Sequence, residues 1–137
     1  MSKEKIYIFD TTLRDGAQTQ GVDFNVEDKM KITNILDGIG VDYIEGGWPG
    51  ANPVDNEFFN KSLNLKNSKF TGFGMTKKTG RSADNDTSLS PLVNASCPAV
   101  CIVGKAWDFH VKVALEIKNE ENLENIKETA KHFVKNK

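Results

Sequence analysis

The sequence predicts a parallel α/β fold built from four successive strand–helix units, and three observations support this prediction. Short apolar segments typical of buried strands begin near residues 6, 41, 69 and 98, a repeat of about 30 residues. A helical segment follows each of them, and the clearest of these helices are amphipathic. Strands that alternate with helices in this way form parallel sheets with right-handed crossovers. Two architectures satisfy the pattern, namely a small doubly wound sheet and part of a (β/α)8 barrel.

The first unit begins with an apolar run over 6–9, which predicts a buried strand. The polar, glycine-containing segment 10–25 predicts a loop. Asn25 suits the N-cap of the next helix and Gly40 suits the position just after its end. That helix is predicted over 26–39, with an apolar stripe made of Ile32, Ile35, Leu36 and Ile39.

The second and third units follow the same plan. A strand is predicted over 41–45, and the glycine- and proline-rich segment 46–50 predicts a loop that ends it. Residues 70–75 predict the third strand, and 77–84 predict a loop. Between these strands, a helix is predicted over 54–65, with a buried side formed by Phe58, Phe59 and Leu63.

The fourth unit ends the chain with its clearest helix. A short, weakly helical segment at 87–94 precedes a strand predicted over 99–103. Residues 111–117 predict further helical structure. Asn119 is the expected cap of the last helix, whose predicted buried stripe consists of Leu123, Ile126, Ala130, Phe133 and Val134.

Composition and charge exclude several classes of protein. The chain has 137 residues, 38% of them hydrophobic, and a formal net charge of −1. A nearly neutral chain of this kind is typical of a globular domain and argues against nucleic acid or a membrane surface as the main partner. No apolar stretch reaches the roughly 18 residues of a membrane span, and no signal peptide is evident. We therefore expect a cytoplasmic protein.

Polar residues gather directly after each predicted strand. These segments are 10–18, 45–50, 75–78 and 104–110. Both candidate architectures bind ligands at the carboxyl ends of parallel strands, so we expect the chemistry to lie there. Carboxylates beside an arginine predict a metal or oxyanion site, although a structural ion pair has the same pattern. Glycine-rich nucleotide motifs are absent from the sequence, which weakens the doubly wound alternative.

The motif DTTLRDG at 10–16, with Gln18 two residues later, resembles a known enzyme family. This family of acyltransferases and lyases includes 2-isopropylmalate synthase, homocitrate synthase, citramalate synthase and HMG-CoA lyase. The segments 21–24 (GVDF), 40–53 (GVDYIEGGWPGANP) and 102–111 (IVGKAWDFHV) are most similar to the citramalate synthase branch. The similarity covers nearly the whole chain.

The resemblance implies a TIM barrel with a divalent metal, Mg²⁺, Mn²⁺ or Zn²⁺, at the carboxyl ends of its strands. Arg14 matches the catalytic arginine of the family, and Asp15 matches its metal-ligating aspartate. Glu45 matches the glutamate at the end of the second strand, either orienting Arg14 or taking part in proton transfer. Gln18 matches a glutamine beside the substrate, and His110 is a further candidate for substrate contact or a base.

The reaction implied by the resemblance is a Claisen-type condensation of acetyl-CoA with an α-keto acid. Pyruvate is the expected keto acid, and the product would then be citramalate. Negative charge develops on the former carbonyl oxygen, where a fixed guanidinium such as that of Arg14 would stabilise it. A 2-isopropylmalate or homocitrate synthase that uses another keto acid is the alternative within the family.

The chain departs from the family in one respect that bears on its activity. The family's remaining metal ligands form a His-x-His pair on the seventh strand, whereas the histidines here are His110 and His132. A TIM barrel needs about 250 residues, and only four units are present. We therefore interpret 1–137 as the N-terminal half of a barrel and expect the isolated chain to be inactive.

Two other hypotheses remain open at this point. In the first, the chain is a non-catalytic half-barrel that associates with itself as a homo-oligomer or with a missing half. Such an association would bury the edge strands and the apolar inner face. In the second, the chain is a small flavodoxin-like binding protein, which would have a different strand order.

Overall fold

The computed structural model describes residues 4–137 and contains one parallel sheet of four strands. The strands are β1 (Phe9–Asp10), β2 (Tyr43–Gly47), β3 (Lys69–Met75) and β4 (Ala99–Val103). Their spatial order is β1-β2-β3-β4, with every neighbouring pair parallel. A flavodoxin-like sheet would place β1 between β2 and β3. The sequential order is that of half a (β/α)8 barrel, and the predicted fold class is confirmed.

Residues 4–137 also form five helices and short 3₁₀ turns. They are α1 (Val26–Gly38), α2 (Pro53–Phe59), α3 (Ser90–Asn94), α4 (Asp108–His110), which continues into a π-helical segment, and α5 (Asn119–Asn136). Within residues 4–137, none of them is both long and apolar enough to cross a membrane.

The first strand is shorter and more exposed than the sequence predicts. It contains only Phe9 and Asp10, whereas the prediction was 6–9. Ile6 is 84% exposed, and Ile8 is also exposed. The prediction of a buried strand was wrong here because β1 lies at the edge of the sheet and pairs only with β2.

The ends of α1 lie where the sequence predicts them. The Asn25 side chain accepts a hydrogen bond from the backbone N–H of Asp28 at 2.9 Å, and the Asp28 carboxylate accepts one from the Asn25 N–H. At the other end, Gly40 has a φ of +84°, and the N–H of Val41 donates to the carbonyl of Leu36. This arrangement is a Schellman motif, which requires the left-handed conformation that glycine adopts easily.

The buried face of α1 differs from the predicted apolar stripe. Ile35 and Ile39 are exposed, and the most buried residues of the helix are Lys29, Thr33 and Asp37. These three polar groups tolerate burial because each has hydrogen-bond partners. A hydrophobic pattern alone does not reveal partners of this kind.

Strand β2 runs two residues beyond its predicted end, through Gly46 and Gly47. A Cβ at Gly46 would lie 2.3 Å from the Phe70 ring, so the close approach of β2 to its packing partner requires glycine there. Helix α2 ends at Phe59, well before the predicted limit of residue 65. Phe58 is fully buried, as expected.

Two apolar clusters form the core. The larger one contains the ring of Phe58, whose centroid lies 5.2 Å from that of Phe70 in an edge-to-face arrangement. The smaller one joins Leu89 and Leu92 of the α3 region to Phe133 of α5. The larger cluster therefore packs α2 against β2 and β3, and the smaller one packs the α3 region against α5.

Helix α5 buries a polar face, contrary to the predicted stripe. Phe133 is buried as expected, but Leu123, Ala130 and Val134 are exposed. The residues of α5 that are buried against the rest of the chain are instead Asn122, Asn125 and Thr129. The reason is that α5 packs on the polar segments that follow β3 and β4, and its amide and hydroxyl groups bond to the carbonyl of Lys105, the hydroxyl of Thr79 and the N–H of Lys77.

Candidate active site

A cavity of about 620 Å³ opens at the carboxyl ends of the first three strands. Its walls come from the segment after β1, the segment after β2 and the end of β3. Apolar lining is supplied by residues such as Trp48, Phe73 and Met75, and polar lining by Arg14 and Gln18. This is the edge of the sheet at which the sequence predicts ligand binding.

A tight turn after β1 fixes the start of the loop that carries Arg14. The carbonyl of Thr11 accepts hydrogen bonds from the backbone N–H groups of Arg14, Asp15 and Gly16, at 2.8–3.2 Å. The Asp10 carboxylate also accepts hydrogen bonds from the N–H and the hydroxyl of Thr12. These contacts restrict the backbone of residues 10–16, which carries the Arg14 side chain.

The Arg14 side chain is held by a buried carboxylate and an aromatic ring. Its Nε donates to Oε2 of Glu45 at 2.7 Å, and Glu45 is fully buried. The guanidinium carbon lies 4.3 Å from the centroid of the Phe73 ring, a cation–π distance. The Trp48 ring packs edge-on against Phe73 at 5.4 Å. Arg14 is therefore a fixed positive group at the wall of the cavity.

The second oxygen of Glu45 has a different environment. Oε1 is buried and has no hydrogen-bond partner among residues 4–137. Cys101 of β4 lies near it. Burial raises the pKa of the Cys101 thiol, and the negative charge of Glu45 raises it further. The thiol is therefore neutral at pH 7, and the Arg14 guanidinium is the positive partner of Glu45.

Asp15 lies on the solvent side of Arg14. Its Oδ1 is 3.0 Å from Nη1 of Arg14, and its side chain is 63% exposed. Nowhere in the described chain do three histidine, cysteine, aspartate or glutamate side chains come together as metal ligands. Asp15 offers a hard oxygen ligand, but divalent metals in proteins take several. The residues present therefore do not form a metal centre by themselves.

The two remaining predicted residues occupy different places. Gln18 ends a 3₁₀ turn and lines the cavity, close to the arginine. His110 lies in α4, is exposed and packs its ring against Trp107, with centroids 4.6 Å apart. The structure thus brings Arg14 into direct contact with both Asp15 and Glu45, adds Gln18 to the same cavity and leaves His110 in a separate aromatic group.

Sequence reasoning missed a buried ion pair in the wall of this cavity. Lys29 of α1 and Asp55 of α2 are 4% and 7% exposed, and their side chains form a salt bridge. A lysine on an amphipathic helix is ordinarily taken for a solvent-facing residue. Two signals in the sequence could have indicated this pair. Asn52 and Pro53 predict a helix start with Asp55 in its first turn. Thr33 follows Lys29 by four residues, a spacing that places both on the same face of α1.

Comparison with known proteins places the chain among enzymes of one family. A family model described as HMGL-like matches residues 5–137. The (R)-citramalate synthase of Aquifex aeolicus is 50% identical over 132 residues, which are 95% of this chain and 25% of that protein. The (R)-citramalate synthase of Geobacter sulfurreducens is 48% identical, over 99% of this chain and 26% of that protein. The 2-isopropylmalate synthase of Listeria innocua is 36% identical, over 90% of this chain and 24% of that protein.

The chain thus spans about a quarter of the length of the curated relatives that it matches. Among solved structures, an HMG-CoA lyase from Acinetobacter baumannii, in complex with coenzyme A and 3-methylmalate, is similar with a TM-score of 0.64 at 17% identity. The match covers 92% of this chain and 40% of that one. This likeness supports the assignment of the four strand–helix units as half of a TIM barrel.

Proposed function

The chain belongs to the HMGL-like family, and we propose that it supplies the first half of the active site of an acyltransferase that condenses acetyl-CoA with an α-keto acid. The observation that carries this proposal is the Arg14–Glu45 pair at the wall of the cavity. We propose pyruvate as the keto acid and citramalate as the product, because (R)-citramalate synthases are up to 50% identical to the chain. A 2-isopropylmalate or homocitrate synthase with another keto acid is the alternative.

The proposed chemistry needs a fixed positive group next to the keto carbonyl. The methyl group of acetyl-CoA loses a proton, and its carbon forms a bond to the carbonyl carbon of the keto acid. The electron pair of the C=O bond moves to oxygen, which then takes up a proton. Water hydrolyses the thioester bond of this adduct, which releases the free hydroxy acid and CoA. Arg14 stabilises the negative charge on this oxygen, since its guanidinium is already aimed at the cavity before the reaction begins.

The other predicted residues have supporting roles in this proposal. Glu45 orients Arg14 rather than moving a proton, because it is fully buried and its Oε2 is bonded to the arginine Nε. Gln18 offers an amide to the substrate from the cavity wall. His110 remains a proposed substrate contact from α4, outside the lining of this cavity.

The proposed metal site is incomplete in this chain, which bears on whether the chain has activity by itself. Asp15 is the one ligand that we propose for a divalent metal, and the residues around it do not complete a site. The remaining ligands would come from residues outside this chain. We therefore expect no condensation activity from residues 1–137 by themselves.

A chimera tests the proposed substrate. The chain is fused to the residues that follow the matched segment in the Aquifex aeolicus relative, and release of CoA from acetyl-CoA is followed with a thiol reagent. Pyruvate, a longer branched α-keto acid and a dicarboxylic α-keto acid are compared. We expect the highest kcat/KM with pyruvate. A folded chimera that prefers one of the other keto acids would support the alternative instead.

A second candidate function is supported by one observation. The side chains of Ile6, Tyr7, Ile8 and Phe9 are exposed along the first strand and the residues before it. An apolar strand edge of this kind favours pairing with another chain. In this second proposal the half-barrel is not catalytic, and two copies associate through this segment or one copy complements a missing half. Light scattering should then show a dimer or larger species, and a stable monomer at high concentration would count against it.

A further inference from the structure

We infer that the buried Lys29–Asp55 pair is a positioning unit that fixes the loop of Arg14 against the strand end of Glu45. Neither residue contacts the guanidinium, so both act through the backbone. The inference rests on the proposed function in one respect, namely that Arg14 acts on the substrate. The geometry that it describes is measurable without any activity.

The ammonium group of Lys29 links three segments of the chain. Its Nζ donates to the carbonyl of Leu13 at 3.0 Å, to the carbonyl of Gly46 at 2.9 Å and to the carboxylate of Asp55. An ammonium has three N–H donors, and all three are therefore used. Leu13 directly precedes Arg14, and Gly46 directly follows Glu45. Lys29 thus binds the backbone next to each member of the Arg14–Glu45 pair.

Asp55 holds the ammonium in place from the first turn of α2. Its Oδ2 accepts hydrogen bonds from the backbone N–H of Trp48 at 2.9 Å and from the Asn52 amide at 3.1 Å. The carboxylate also fills the space above Gly47, where a Cβ would lie 2.6 Å from it. Gly47 has a φ of +145°, so both its backbone and its lack of a side chain suit this contact. Asp55 therefore fixes the segment directly after β2.

The energetics indicate that stability alone does not explain the pair. Both residues are more than 90% buried, and placing charges in the interior carries a desolvation penalty that the attraction between them only partly offsets. Well-packed apolar residues often stabilise a core as well as a buried ion pair does. Apolar residues cannot, however, hold two carbonyl groups from different segments together. That tether is the specific property of the lysine at this position.

The chain offers a direct readout of the Arg14 geometry. It contains two arginines, Arg14 and the exposed Arg81, so a ¹⁵N spectrum of the arginine Nε–H groups has two signals. We compare the wild type with Lys29→Met/Asp55→Asn, which removes both charges and keeps the approximate shape. Lys31→Met, on the exposed side of the same helix, is the matched control.

In the double variant, we expect Arg14 Nε–H to exchange with water about tenfold faster, the size of effect that follows loss of a charge-assisted hydrogen bond. The amide protons of β4, the Arg81 signal and the control variant should not change. A folded double variant with unchanged exchange at Arg14 would refute the positioning role. Because no substrate is involved, this outcome would not contradict the proposed function. An inactive chimera, in turn, would not contradict the positioning role.

A second measurement uses only the wild type, in case the double variant does not fold. Exchange of Arg14 Nε–H and of the Trp48 amide, which donates to Asp55, is followed at increasing urea concentrations below the unfolding transition. If Lys29 and Asp55 join these groups in one unit, both protons should show the same urea dependence. Independent opening of the two groups would contradict the inference.

Discussion

Arg14 is the residue on which the proposed chemistry depends, and the surrounding structure limits its movement on several sides. Glu45 accepts its Nε–H, Asp15 pairs with Nη1, and the Phe73 ring lies beneath the guanidinium. A buried carboxylate needs hydrogen-bond or charged partners, and Glu45 has its hydrogen bond from Arg14, so Glu45 needs Arg14 as much as it orients it. The pair at the cavity wall therefore gives the buried carboxylate its partner and fixes the position of the guanidinium charge.

The effect of Arg14→Lys on the chimera tests the role of the guanidinium. A lysine keeps the charge but cannot make the planar contacts with Glu45 and Phe73. We expect kcat to fall by about 100- to 1,000-fold, the range seen when one transition-state donor is removed, with a smaller change in KM. Steady-state CoA release measures both constants. Arg81→Lys, at an exposed position, should be neutral, and an unchanged kcat in the Arg14 variant would contradict the proposed role.

At the scale of single residues, the sequence predicted part of the grouping of side chains at the candidate site. The positions of Arg14 and Asp15 after β1, and of Glu45 near the carboxyl end of β2, were sufficient to bring them to one edge of the sheet. Lys29 and Asp55 escaped prediction because their burial depends on partners that are distant in the sequence. The partners of Lys29 are 16, 17 and 26 residues away.

At the scale of elements, Asp37 fastens the end of α1 to the segment that leads into β3. Its carboxylate accepts backbone N–H groups of residues 66–68 at 2.8–3.2 Å. The hydrogen bond from Lys66, followed by those from Asn67 and Ser68, lowers the pKa of Asp37 from 3.8 to about 2. The charged form is therefore preferred in the folded state.

This shift predicts a specific acid sensitivity. Because the folded pKa is lowered, the stabilisation from Asp37 is fully present above about pH 4 and is lost as the pH falls through about 2. Asp37→Asn should be less stable than the wild type at neutral pH, and the difference should shrink in that acid range. Urea unfolding midpoints across the range measure it, with the exposed Asp23→Asn as control. A difference that stays constant down to pH 2 would contradict this account.

The aromatic contact between α2 and the sheet leads to a second prediction, which concerns the free energy of unfolding. Phe58 is fully buried against Phe59 and Phe70. Phe58→Ala should lower the free energy of unfolding by about 3–5 kcal/mol, since it removes a large buried side chain and leaves a cavity. Phe109→Ala, which truncates a half-exposed ring, should change it much less. Equal losses in urea unfolding would show that Phe58 is not a main support of the core.

Elements were more predictable from sequence than the faces that they bury. The capping residues of α1 and the full extent of β4 followed from local chemistry. The buried face of α5 did not, because Asn122, Asn125 and Thr129 find their partners in the segments after β3 and β4. A hydrophobic pattern identifies the apolar side of a helix, which is not always the side that packs.

At the scale of the whole molecule, the sequential strand order and the family match describe the first half of a TIM barrel. The candidate site lies at the carboxyl edge of this half, with Arg14, Glu45 and Gln18 in place and Asp15 as a single proposed metal ligand. We therefore propose that this half-barrel supplies one part of an active site that a second half-barrel completes.

The most direct test compares CoA release by residues 1–137 with release by the chimera described above, using acetyl-CoA, pyruvate and a divalent metal. We expect no release above background from the isolated chain and metal-dependent turnover from the chimera. Turnover by the isolated chain would contradict the claim of a shared site. A folded chimera that releases no CoA with any α-keto acid would contradict the proposed condensation.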